Sequence, residues 1–339
     1  MPTIVEVAKR ANVSIATVSH VIRGTKLVSP ALRQRVQKAI HELDYSPNAI
    51  ARGLKSQRTR MLGIILPDIT NPFFPGVIRG AEDKAFESGY FLVTANTDDQ
   101  SEREQRTVSA LRSYRVDGIL LVPLPSRKSS HVRRAMEAGI QIVFLDRPVV
   151  GIRADAVLLD NEKGSRDCVR HLVQQGHRKI AVITGPLMAS NARERLLGYQ
   201  KALREAGIKN DPTLVFEGDF RFDSGYRLAK TLLQRPGRAT AIFACNGVMG
   251  MGAMAALDEL GINCPAGMAL ASFDDLTFDQ SAHSRLTTVV QPSYEMGSLA
   301  ASLLIDRIEG RMTGAPVTVR VAPSLVIRGS TLPTKPSRR

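Results

Sequence analysis

Apolar and polar positions along the chain fall into two textures that change near residue 61. Before that point, apolar residues recur three and four positions apart, the spacing that gathers them on one side of a helix. Val7, Ala8 and Ala11 form one such stripe, Val18, Val21 and Ile22 a second, and a third helix is predicted from Pro30 to about Leu43. Beyond it, apolar runs of strand length (LGIIL, FLVTA, DGILLV, QIVFLD, KIAVITG, AIFAC, MALASF) alternate with helical stretches at about 76–88, 103–113, 164–175, 194–206, 224–234, 248–260 and 293–309. Continuous apolar strands alternating with helices predict parallel sheets covered on both faces. The alternation passes through two similar halves and then adds a helix and further strands. The predicted fold class is an all-α head followed by α/β, two doubly wound parallel-sheet lobes. Ligands of such sheets sit at the carboxyl ends of the strands, here facing a cleft between the lobes.

Local signals sharpen the head. Thr3 and Glu6 have the spacing of a capping box, and Asn12 can stop the first helix in a left-handed conformation. Ser14 caps the second helix, Gly24 ends it, and Ser29-Pro30 opens the third with proline at its first position. About three residues separate the first two helices, which is helix-turn-helix spacing. A further start signal, Ser46-Pro47, precedes NAIARGLKS. That stretch is short and carries Gly53, a residue that costs a helix interior about 1 kcal/mol, so it needs a partner to persist. The expected organisation is a head over 1–46, a hinge helix and linker over 47–60, a first lobe over 61–160 and 291–318, a second over 161–290 and 319–332, and a tail over 333–339.

Charge says what the head meets. The 339 residues carry a formal charge of +14, and the first 60 hold eleven Lys and Arg against three acids. More than half of the excess therefore lies in the first sixth of the chain, which points to an anionic partner such as nucleic acid at that end. Three scattered cysteines, Cys168, Cys245 and Cys264, make no disulfide framework. The start lacks the apolar core of a signal peptide, and no apolar run approaches a membrane span, so a cytoplasmic protein without membrane contact is expected.

Residues 12–23, NVSIATVSHVIR, explain the head's chemistry. With Val18, Val21 and Ile22 turned inwards, Ala16, Thr17, Ser19, His20 and Arg23 face out. Short polar side chains let a helix sink into a major groove about 12 Å wide and reach base edges or phosphates. VAKRANVSIATVSHVI followed by YSPNAIARGLKS resembles the lactose/galactose repressor family, nearest in motif to its purine- and ribose-repressor branches. The likeness extends over nearly the whole chain. It implies a homodimeric, DNA-binding transcription regulator, a repressor reading a palindromic operator, with lobes like those of type I periplasmic binding proteins. It further implies that Ile15, Ala16, Ser19 and His20 approach bases, with Thr17 nearer the backbone. Ile15 departs from the polar residue of purine repressors and could meet a thymine methyl. By the same resemblance 47–56 pair as hinge helices in the minor groove, where Leu54 wedges into a central base step and Ala51 and Lys55 line the groove.

The strand ends of the body carry a second set. Asn71, Phe73 and Phe74 follow LGIIL; Asp146 and Arg147 follow QIVFL; Arg195 follows KIAVITG; Phe220, Asn246, Asp274 and Gln291 stand at later ends. Aromatics converging with carboxylates, amides and guanidiniums describe a polyhydroxyl site, since each hydroxyl both donates and accepts. The set resembles the pocket of bacterial ribose-binding proteins and ribose-responsive repressors. That implies a small sugar effector, ribose or another pentose, with a hexose or a purine as alternatives. Relatives usually carry Asn-Asp where this chain has Asn246-Gly247. Gly250-Met-Gly252 falls inside the following helix, with no acid at a later strand end, and is not read as a nucleotide loop. His171, His177 and Cys168 lack a fourth metal ligand, and no nucleophile motif stands out, so no cofactor, metal or catalytic residue is expected. A transport receptor would share the lobes but has no use for residues 1–60.

Overall fold

A computed structural model describes residues 2–24, 28–45, 58–125, 129–235, 237, 239–275 and 285–332. The chain divides into two units, Met1–Thr59 and Arg60–Arg339.

The first unit holds α1 (Ile4–Ala11), α2 (Ile15–Arg23) and α3 (Pro30–Glu42). Thr3 and Glu6 close a reciprocal capping box. Asn12 ends α1 at φ 50°, and the Ser14 hydroxyl accepts the Thr17 N–H to start α2. Pro30 opens α3 as expected, but Ser29 makes no side-chain cap hydrogen bond. Val7, Ala8, Ala11, Val18, Val36 and Ala39 form a small buried cluster that joins the three helices. Arg35 donates to the carbonyls of Ala11 and Asn12, at 2.6 and 3.1 Å, and Arg10 pairs with Glu42 at 2.7 Å, so two head cations brace the helices on each other. The hinge positions Ala51, Leu54 and Lys55, and the 333–339 tail, lie outside the described residues.

The second unit contains two six-stranded sheets. The first sheet uses β1 (Met61–Leu66), β2 (Phe91–Asn96), β3 (Gly118–Leu121), β4 (Gln141–Leu145), β5 (Asp155–Leu159) and β11 (Thr318–Val321), in the order β11-β5-β4-β3-β1-β2. All its pairings are parallel. The second uses β6 (Ile180–Thr184), β7 (Val215–Glu217), β8 (Ala241–Ala244), β9 (Ala269–Phe273), β10 (Thr287–Val290) and β12 (Ser324–Val326), in the order β12-β10-β9-β8-β6-β7. Only β12 runs antiparallel to its neighbour β10. Helices α4 (Phe73–Glu87), α5 (Ser101–Ser113), α6 (Ser130–Glu137) and α11 (Ser293–Glu309) pack on the first sheet or its helices. Helices α7 (Asn161–Gln174), α8 (Ser190–Glu205), α9 (Phe222–Leu233) and α10 (Gly247–Glu259) do so around the second. The backbones of α4 and α11 touch through two glycines: a Cβ at Gly80 would meet the Tyr294 carbonyl at 1.9 Å, and one at Gly297 the Val77 carbonyl at 2.0 Å.

Three expectations need correction. Five helices, α4, α5, α7, α8 and α9, begin two to four residues before their predicted starts, because short polar residues and Phe73-Phe74 already wind into the first turns. Helix α6 and strand β5 were not expected as separate elements; α6 spans only eight residues, and Pro148 and Gly151, which turns at φ 78°, were the signals that set DAVLL off from β4. Finally, β11 pairs with β5, so the last return to the second lobe lies after Val321 rather than after residue 318.

Candidate functional site

Past the carboxyl ends of the strands several residues other than glycine hold left-handed backbone, among them three that were singled out in the sequence. Asp146 has φ 62°, Phe220 φ 67° and Asp274 φ 66°. Aspartate tolerates this conformation, but for phenylalanine it is an outlier that the surroundings must enforce. All three line one cavity between the two sheets, together with Asn71, Phe73, Phe74, Arg147, Arg195, Asn246 and Gln291. The ten residues singled out in the sequence thus meet at one place.

Their internal bonding sorts them into two kinds. Arg195, on α8, donates from Nε to Asn161 Oδ1 at 2.8 Å and from Nη1 to the Cys245 carbonyl at 2.6 Å, while its guanidinium lies 3.9 Å from the Phe273 ring centre. Arg147 donates to the Pro123 carbonyl at 2.6 Å and to Asp99 at 3.1 Å. Each guanidinium is therefore fixed by two contacts and keeps further N–H groups for a ligand. Asn246 has both amide ends engaged: Oδ1 caps α10 by accepting from Met249 N at 2.9 Å, and Nδ2 holds the Phe220 carbonyl at 3.0 Å. Asn71 Oδ1 likewise accepts from Phe73 N at 3.1 Å, which sets the first turn of α4 and the neighbouring rings. Phe73 and Phe74 meet edge to face with centres 5.1 Å apart.

The acceptor side of the cavity is less satisfied. Asp274 accepts from Gln291 Nε2 and from Gly247 N, the latter at 3.4 Å. Its carboxylate thus stands at the N-terminus of α10, beside the position where relatives usually carry an acid. Burial pushes the Asp274 carboxyl up from its ordinary value against the pull of Arg195. Gln291 Oε1 is buried and has no hydrogen-bond partner among the described residues. An unpaired buried acceptor costs about 1–3 kcal/mol, so a ligand hydroxyl there is favoured. Two contacts join the lobes across the opening: Asn191 to Asp146 at 2.7 Å and Arg221 to Asp68 at 2.6 Å.

The cavity also includes Asp68, Asp99, Asn191 and Arg221, which were not among the expected site residues. Asp68, Asp99 and Arg221 stand two to four residues past the ends of β1, β2 and β7, and that position was the available signal. Arg193 lies elsewhere, donating to the carbonyls of Leu187 and Met188. Gly250 and Gly252 lie within α10; a Cβ on Gly252 would stand 2.2 Å from the Phe222 carbonyl, so the residue serves helix packing. His171 bonds Thr331 and His177 bonds Thr240.

Phe220 rests on Gly185, where a Cβ would come within 2.0 Å of the ring. Gly185→Ala is expected to push Phe220 into the cavity and weaken ligand binding about 10- to 100-fold. Calorimetry would read this as a change in affinity with operator binding by the unliganded protein unchanged.

On the head, α2 shows Val18 wholly buried and Ile15 48% exposed. Ala16 is exposed, and Thr17, Ser19 and His20 are partly so. The Thr17 hydroxyl is 2.9 Å from that of Ser14, which ties it to the helix start. Arg23 closes the helix.

Comparison with known proteins agrees with both units. The lacI family of bacterial regulatory proteins matches residues 3–48, and a periplasmic binding protein-like domain matches 169–331. The HTH-type transcriptional repressor PurR of Escherichia coli O139:H28 is 36% identical over 97% of both chains. The ribose operon repressor of Haemophilus influenzae is 34% identical over 97% of this chain and 98% of its own. Among solved structures, a lac repressor dimer bound to operator and an anti-inducer is 28% identical with a TM-score of 0.85, covering 98% of this chain and 99% of that one. A transcriptional regulator CelR–cellobiose complex is 36% identical with a TM-score of 0.75, covering 97% and 100%. The chain belongs to the lacI family of bacterial regulatory proteins: it is a DNA-binding transcription repressor with a ligand-binding body. Among its described residues no helix is long and apolar enough to cross a membrane.

Proposed function

We propose that the chain represses transcription as a homodimer on a palindromic operator and that a small sugar in the cleft, ribose or another pentose, controls its grip. The observation that carries the sugar is the cavity's balance of groups. Four carboxylates, Asp68, Asp99, Asp146 and Asp274, and an unpaired amide oxygen accept, three guanidiniums, Arg147, Arg195 and Arg221, donate, and three phenylalanines line the same space. A neutral polyol satisfies both kinds, while the buried acids disfavour an anionic ligand. The ribose operon repressor among the relatives supports the pentose, and the cellobiose-bound neighbour keeps larger sugars in view.

In this reading the head of 1–46 places Ile15, Ala16, Ser19 and His20 against base edges, with Thr17 and Arg23 nearer phosphates. The hinge of 47–60 sets Leu54 into a central base step, with Ala51 and Lys55 in the minor groove. Sugar binding shifts the relative population of lobe arrangements and, through it, how often paired hinges form. Release from the operator is the expected sign. A mobility shift on a palindromic operator, titrated with ribose, other pentoses, hexoses and purines, tests this. Release by a pentose at the lowest concentration supports the reading. Release or tightening by a purine alone overturns the sugar.

A further inference from the structure

A second group of polar side chains lies on the first lobe, away from the cleft. We propose that the groove between α5 and α6 is a binding site for a small phosphate monoester or inorganic phosphate, a dianion with three acceptor oxygens. Arg106, Ser109 and Arg112 line it from α5, at spacings of three that place them on one helix face, and His131 and Arg134 from α6. Val108 and Ala135, both nearly fully buried, form an apolar floor. No carboxylate is among the residues lining it. Arg106 has Glu102 one turn back at 3.7 Å, with both side chains over 80% exposed, a pair that competes weakly with a ligand. Arg112 and Arg134 have no ion-pair partner among the described residues.

The independent observation is His131. Only 6% exposed, it donates from Nε2 to Glu104 Oε1 at 2.7 Å, and its Nδ1 is buried with no hydrogen-bond partner among the described residues. Glu104 is itself held by the Leu124 N–H on its other oxygen, at 2.8 Å. The ring is therefore gripped from one side and left unsatisfied on the other, beneath a rim of guanidiniums. With Nε2–H held by Glu104, a phosphate oxygen on the groove floor takes a hydrogen bond from Nδ1 only when the bound ring is the imidazolium, a form that the Glu104 carboxylate and the dianion favour together, and Arg112 and Arg134 take the remaining oxygens by charge-assisted hydrogen bonds.

The test uses the full chain labelled with 13C,15N-histidine, the His131 resonance being assigned with H131Q. Inorganic phosphate and ribose 5-phosphate are titrated separately. A saturable shift of His131, weakened about tenfold or more in the double variant R112A/R134A, is expected; the probe acting at lower concentration identifies the source. Both arginines are surface residues, and circular dichroism checks that the variant keeps its fold. Phosphate bound by the head or by the sugar cleft leaves His131 unmoved. The site is overturned if neither probe shifts His131, or if the shift persists undiminished in the double variant.

Discussion

Arg195→Ala is expected to abolish sugar binding measurable by calorimetry and to destabilise the body by about 3 kcal/mol, the scale for leaving buried polar partners unpaired. Arg195 is 3% exposed and holds the Asn161 amide and the Cys245 carbonyl together. It also supplies the positive charge that opposes the burial penalty on Asp274. Removing it orphans two groups and leaves a buried carboxyl without its counter-charge. A lysine restores the charge but not the planar fork or its stacking on Phe273. Arg195→Lys should therefore recover part of the stability and little of the affinity. Unfolding midpoints for both variants, followed with calorimetry, decide it; an alanine variant that binds sugar normally would remove Arg195 from the site.

The second large effect lies in the head. Val18→Asp is expected to unfold it and to weaken operator binding by more than 100-fold while sugar affinity stays unchanged. Val18 is fully buried, and among the described residues five other apolar side chains are buried with it in that cluster. A core this small has little stability in reserve, and an unpaired buried carboxylate exceeds it. The body is a separate unit with its own core, so its binding should survive. A mobility shift and a calorimetric titration on one preparation separate the two effects. Equal loss of both would show that the units do not fold independently.

How much of this was legible beforehand depends on the kind of signal. Helix caps act over three or four residues, so Thr3, Glu6, Asn12 and Ser14 were readable one by one. The central strands were readable because burial on both faces makes an uninterrupted apolar run, and β2 was readable as the run FLVTA even though Phe91 and Val93 are exposed, whereas the three-residue β7 owes its place to its neighbours. For the cavity, position at or after a strand end, together with the resemblance to ribose-binding pockets, brought ten residues together, since parallel strands in one sheet end on the same side; Arg195 lies well inside the following helix. It did not reveal that Asn71 and Asn246 fix backbone, nor that Asn191 and Arg221 reach across to Asp146 and Asp68. Partners of that kind are far apart along the chain and nothing in local composition links them.

The polypeptide passes between the sheets three times, after Leu159, after Val290 and after Val321, and never through the middle of a strand. The lobes can therefore swing against each other without breaking any ladder hydrogen bond, the torsion falling on a few peptide units in three parallel straps. Asn161 and Gln291 stand on two of those straps, the first gripping Arg195 and the second Asp274. A molecule seated against Arg195 and Gln291 pulls directly on the pivots, so its leverage on the motion is set at the axle and not at the rim.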